Sequence, residues 1–259
     1  MNRYYFPASA LPSLELNAPP EISFEELMIL FEENLSAEDL HKVKVLRRYY
    51  DVENVRNMLL HEPFSPYGNL NKMQMEEALN GFNGLPPYFF DYLEKYQTAE
   101  DRLKNFSSLL ANYYIYEIDH SEGFLRKYLQ FDREWRLIFT AMRAKKMGRD
   151  LLKELQFEDP SDTIIAELLV QKDSSSIVPP DNYSELKNIY DEYADSPLEL
   201  MQAMLEWRFI KINDFLGVDL FSIERLLGYF MQLIALERWF ELDNTKGLKF
   251  VDSFIKEPS

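Results

Sequence analysis

The sequence has no cysteine, and only eight glycines and three histidines among its 259 residues. Without thiols there is no disulfide, no cysteine nucleophile and no cysteine-ligated zinc, a pattern that fits a reducing cytoplasm. So few glycines disfavour a β-rich fold with many tight turns. They also disfavour loops that wrap a phosphate. No Gly-x-x-x-x-Gly-Lys-Ser/Thr phosphate loop occurs, and no Gly-x-Ser-x-Gly nucleophile elbow. Cations are scarce as well: 28 Lys and Arg face 44 Asp and Glu, for a net charge of −16. Such a surface repels phosphates, so nucleic acid is not an expected partner. Long apolar runs are missing too. The longest charge-free run, residues 78–90, has 13 residues and contains two Gly and two Pro. A spanning helix needs about 20 apolar residues, so no direct membrane insertion is expected. The opening Met1-Asn-Arg-Tyr-Tyr-Phe-Pro7 lacks the apolar core of a signal peptide.

What is present is apolar and aromatic. Hydrophobic residues make up 46% of the chain and aromatic residues 15%, enough for a large core in one domain or a few small units. The periodicity is helical throughout, and no alternating strand pattern is visible, so the fold class is all-α. Tyr4-Tyr5-Phe6 reads as an extended or strand-like entry closed by prolines. Ser23-Phe-Glu-Glu26 is a capping box, and Ser36-Ala-Glu-Asp39 a second helix start. Asp51 is expected to cap a third run that ends at Pro63 and Pro66. Thr98 opens a long helix through Tyr113, Pro160-Ser161 opens one to Leu169, and Ser196-Pro197 another to about Phe215. The last long helix is expected over 219–243. Breaks fall near 63–71, 81–87 and 173–183.

The most informative stretch is Phe124 to Lys153. Phe124, Tyr128, Phe131, Trp135, Ile138 and Met142 follow a 4, 3, 4, 3, 4 spacing, the apolar seam of a helix packed lengthwise on others. Continued, the same count reaches Lys146, Arg149 and Lys153. Between Arg126 and Lys153 there are nine Lys and Arg against three acids, in an otherwise acidic chain. Gly148 is placed to end the helix in a left-handed cap, after which Asp150 caps a short one. Arg143, Lys145, Lys146, Arg149 and Lys153 are therefore candidates for docking an acidic partner. The plainer reading is a solvated helix end whose cations suit the negative end of the helix dipole.

Three aspartates open comparable runs: Asp51-Val-Glu-Asn-Val-Arg-Asn-Met-Leu-Leu, the looser Asp132-Arg-Glu-Trp, and Asp219-Leu-Phe-Ser-Ile-Glu-Arg-Leu-Leu. One per third of the chain suggests three related helical units, placed at 1–84, 85–172 and 173–259. These residues resemble the C/d-type family of V-type ATPase subunits, whose three bundles each open on Asp-x-x-Asn. Asp51 and Asn54 match that start, whereas Trp135 stands in the Asn place after Asp132. Met142-Arg-Ala-Lys-Lys-Met-Gly148 resembles the family's Leu-Arg-Ala-Lys-x-x-Gly run, and Ile177-Val-Pro-Pro180 its Ile-Pro loop. Tyr229 and Glu237 have the spacing of its final helix, with Phe240 in place of a following Asn. The opening, Tyr4-Tyr5-Phe6 to Ala10-Leu-Pro12, more closely resembles an uncharacterised bacterial family encoded beside V-type ATPase genes.

The resemblance implies a funnel of helices that binds no nucleotide and no other cofactor. It implies a non-catalytic adaptor at the inner face of the membrane, linking the central rotor stalk to the proteolipid ring. Asp51, Asn54 and Asp132 read as helix caps, with interface residues as the alternative; Tyr229 and Glu237 read as structural. Two further function classes are weighed. One is a helical interaction scaffold unrelated to ATPases. The other is a di-metal carboxylate bundle, because Glu38-Asp-Leu-His41 and Glu117-Ile-Asp-His120 are Glu-x-x-His pairs. Glu38 falls in a first turn and His120 at a turn, both poor positions for ligands, so no metal is expected.

Overall fold

The computed structural model describes residues 3–255, with side chains described from 3 to 242. The fold is all-α: among the described residues there are 13 α-helices, one short 3-10 helix and no strand. Residues group into two compact units by their contacts, 1–42 with 195–259, and 43–194. The sequence suggests three consecutive units instead. The discontinuous first unit arises because the C-terminal helix packs against the N-terminal segments, a pairing far apart in sequence.

In the first unit, α1 (Tyr5–Ala10) and α2 (Phe24–Asn34) join α12 (Pro197–Phe215) and α13 (Ile223–Ile255). Tyr4-Tyr5-Phe6 is the start of a helix, not an extended entry. Pro7 sits in the first turn, where its missing N–H has no intrahelical role, and Tyr4 N–H donates to the Phe221 carbonyl at 2.8 Å. Ser23 forms the expected capping box: its hydroxyl accepts from Glu26 N–H, and the Glu26 carboxylate accepts from Ser23 N–H. Leu205, Phe209 and Leu236 are buried together, with Leu14, Leu16, Trp239 and Phe240 against them. Gly228 lets α13 approach the end of α12; an added Cβ would lie 2.8 Å from Leu216.

The second unit holds most of α3 (Ala37–Leu60), then α4 (Lys72–Gly81), α5 (Pro87–Lys95), α6 (Ala99–Lys104) and α7 (Phe106–Asp119). It continues with α8 (Gly123–Lys146), α9 (Leu151–Glu154), α10 (Thr163–Val170) and α11 (Ser184–Tyr193), the last preceded by the 3-10 turn Asp181–Tyr183. α8 is its axis, packing against α7, α9, α10 and α11. Phe124, Tyr128, Phe131, Ile138 and Met142 are buried as the seam predicts, and Trp135 is half-buried. Several helix boundaries differ from expectation: α10 is capped by Asp162 instead of opening at Pro160-Ser161, and in the first unit α13 begins at Ile223 and extends to Ile255 instead of covering 219–243. α3 runs through Asp51 without a break. The helix opened by Thr98 is interrupted at Asn105, whose side-chain amide donates to the Asp101 carbonyl at 2.8 Å.

Candidate functional site

The basic end of α8 is built by the stop signals the sequence carries. Gly148 has φ +64, the left-handed conformation that ends the helix, and Arg149 N–H turns back to the Ala144 carbonyl at 2.8 Å. Asp150 then accepts Leu152 N–H at 3.0 Å and starts α9. Arg143, Lys146, Arg149 and Lys153 are exposed, while Lys145 is half-buried. Lys145 Nζ donates to the Lys172 carbonyl, which ties α8 to the turn after α10. Arg149 pairs loosely with Glu154 at 3.6 Å, and Lys146 Nζ lies 6.0 Å from the Tyr190 ring. The structure thus gathers the five predicted cations at one end, four of them facing solvent.

The predicted caps are not caps. Asp51 is fully buried in the middle of α3, and its carboxylate accepts the N–H groups of Asn69 at 2.7 Å and Leu70 at 3.2 Å. Its second oxygen accepts from the Asn69 side chain at 2.7 Å. Asn54, also fully buried, pairs both ways with Ser65: its amide donates to the carbonyl at 3.0 Å, and its oxygen accepts the N–H at 2.7 Å. Arg47 donates to the Tyr67 and Gly68 carbonyls. One face of α3 therefore satisfies the backbone of the 61–71 loop, whose partners lie too far along the chain to be read locally. Burial pushes the Asp51 carboxyl up, against the Asn69 and Leu70 hydrogen bonds that lower it.

Asp132 is likewise buried inside its helix, α8. It accepts from Tyr114 OH at 2.5 Å, Trp135 Nε1 at 3.0 Å and Arg136 Nε at 3.0 Å. Trp135 thus donates to the aspartate three residues before it, and the Arg136 guanidinium is held 4.4 Å from the Tyr49 ring centre. In the first unit, Glu237 accepts Phe24 N–H at 2.8 Å, placing a carboxylate at the N-terminus of α2. Tyr229 is half-buried, and its hydroxyl is pushed up to about 12, first by burial and then by Glu21.

Two ionic clusters join residues that the sequence reading does not pair. Both oxygens of buried Glu117 are 2.9 Å from Arg48 Nη1, and Tyr88 OH donates to one of them at 3.0 Å. Arg133 donates to Glu158 at 2.6 Å and to Asp162 at 3.0 Å. A signal exists for the first: Glu117 sits at helical spacing from Leu110 and Tyr113, a charge in an apolar seam. His120 is exposed and stacks on Tyr116, and its ring nitrogen meets the Tyr116 carbonyl at 2.8 Å. Glu117 and His120 thus face different surroundings. Among the described residues no cluster of His, Cys, Asp or Glu is placed to hold a metal, and no helix is long and apolar enough to cross a membrane.

The chain is 29% identical to an uncharacterized protein of Chlamydia muridarum, across 96% of this chain and 100% of that one. It is 30% identical to an uncharacterized protein of Chlamydia trachomatis, across 90% and 91% of the two chains. A third such protein, of Chlamydia pneumoniae, is 30% identical across 86% of each. No solved structure matches. With residues 1–257 matched, the chain belongs to the family described as "Protein of unknown function (DUF2764)".

Proposed function

We propose that this protein is a non-catalytic adaptor of a V-type ATPase or ATP synthase. In this reading it links the central rotor stalk to the membrane proteolipid ring and so serves proton or sodium transport. It reaches the inner face of the membrane through those partners. The short motifs spread along the chain support the reading, and the three-unit, funnel-like arrangement belongs to the same proposal. The observation that carries it is the rigid basic end of α8. A helix whose apolar seam is packed from Phe124 to Met142 presents Arg143 and Lys146 to solvent, with Arg149 and Lys153 exposed just beyond its end, on a chain of net charge −16. A fixed cationic surface on an acidic body selects the orientation of an acidic partner and raises its rate of encounter.

Affinity capture with purified stalk and ring subunits, at low and at high salt, tests the reading. It expects capture of at least one of them, weakened by salt. Capture of none would leave only an interaction scaffold unrelated to ATPases.

A further inference from the structure

The basic end of α8 also carries exposed apolar side chains. Met147 is 56% exposed, Leu152 49%, Val170 85% and Val178 61%. Met147 follows the end of α8, Leu152 lies on α9, Val170 ends α10 and Val178 lies beyond the turn after it, and α8 packs against both α9 and α10. Lys145 Nζ donates to the Lys172 carbonyl. The Gln171 side chain donates to the Val178 carbonyl at 3.0 Å and accepts Val178 N–H at 2.7 Å. Ile177, next to Val178, is buried and anchors that turn. The apolar positions are thus held by hydrogen bonds and packing, so little ordering accompanies their use in binding.

The same segments carry the exposed cations Arg143, Lys146, Arg149, Lys153 and Lys172. Of the acids beside them, Asp150 caps α9 and Glu154 faces Arg149, and Asp173 is exposed next to Lys172, so cations still outnumber acids there. Apolar side chains interspersed with cations match a partner that is apolar along one stripe and acidic beside it. An amphipathic helix has that form, with its stripe recurring every three to four residues.

We propose that this surface receives an acidic amphipathic helix of a partner protein. Its apolar stripe seats among Met147, Leu152, Val170 and Val178, and its carboxylates face Arg143, Lys146 and Lys153. The proposal rests on the reading of the basic end as a docking surface and specifies what docks there. An anionic membrane fits less well. None of the four exposed apolar residues is aromatic, and a body of net charge −16 is repelled by anionic headgroups. A contact made by charge alone would leave the four side chains in water.

The test uses the full chain and a labelled peptide of about 18 residues with Leu at i, i+3, i+4 and i+7 and Glu and Ala elsewhere. A scrambled peptide of the same composition and phosphatidylserine vesicles are the comparisons, and fluorescence anisotropy and co-sedimentation are the readouts. The expected result is about tenfold tighter binding of the amphipathic peptide than of the scramble. A Leu152→Ser, Val170→Ser double variant loses that preference, while circular dichroism shows an unchanged fold. Equal binding of the two peptides, or binding to vesicles and to neither peptide, overturns the proposal. Capture of ATPase subunits by the unaltered chain is scored separately. Capture without peptide preference removes this proposal alone, and peptide preference without capture removes the adaptor reading alone.

Discussion

The carboxylate of Asp51, in the middle of α3, accepts the backbone N–H of Asn69 at 2.7 Å across 18 residues of chain. It holds Leu70 N–H as well, so one side chain satisfies two amides of the loop. Asp51→Ala leaves those donors unpaired and is expected to cost about 2–4 kcal/mol in urea denaturation. Asn54→Ala, which frees the Ser65 N–H and carbonyl, should cost about 1–3 kcal/mol. A loss under about half a kcal/mol at both positions would contradict this role.

Gly68 lies against the same pair. A Cβ there would meet Asp51 Oδ1 at 2.7 Å and Asn54 Nδ2 at 2.9 Å. Both atoms belong to side chains held in hydrogen bonds, so neither moves aside freely. Gly68→Ala should destabilise by about 1–3 kcal/mol, measured by the same denaturation midpoint.

Glu117 is buried and ionically paired with Arg48. Arg48→Met strands that carboxylate and is expected to cost about 3–5 kcal/mol, whereas Arg48→Met with Glu117→Leu recovers much of the loss. His120 is exposed, so His120→Ala should change stability by about half a kcal/mol or less. Thermal unfolding of the four proteins checks all of these. A di-metal reading would instead require His120→Ala to abolish bound metal found by elemental analysis.

Asp39 gives a pH signature. Burial raises its carboxyl, but Lys42 at 2.6 Å, Tyr4 OH and Ser36 outweigh that, and the balance lies below the ordinary value. A depressed folded-state carboxyl stabilises fully above the unfolded value of about 3.9, and the contribution is lost as pH falls through the folded one. The stability gap between the wild type and Asp39→Asn should therefore hold steady from about pH 7 to 5 and close below about pH 4. A gap unchanged near pH 3 would contradict it.

The helices are legible in the sequence because their signals are local. Ser23 with Glu26, Gly148 and Asp150 do in the structure what their neighbours in sequence imply. The seam from Phe124 to Met142 is legible because its spacing repeats within one helix. Asp51 and Asn54 read wrongly as caps because the amides they satisfy lie 18 and 11 residues away, at Asn69 and Ser65. The helix at Tyr5 is hidden because Pro7 reads as a break unless it falls in a first turn. The basic end of α8 is legible as a cluster of charge. Its apolar half is not, since the exposure of Val170 and Val178 depends on how α10 and the following turn pack.

The cation at Lys145 is already used, because it holds the Lys172 carbonyl. Charge reversal aimed at the docking surface therefore belongs at the exposed Arg143, Lys146 and Lys153. The most direct measurement is the association rate of the full chain with purified stalk and ring subunits of a V-type ATPase, across a range of ionic strength. The account predicts salt-sensitive association with at least one of them, and an Arg143→Glu, Lys146→Glu, Lys153→Glu variant that associates about tenfold more slowly with a shallower salt dependence. Association of that variant at the wild-type rate, or no association of the wild type with either set of subunits, would contradict it.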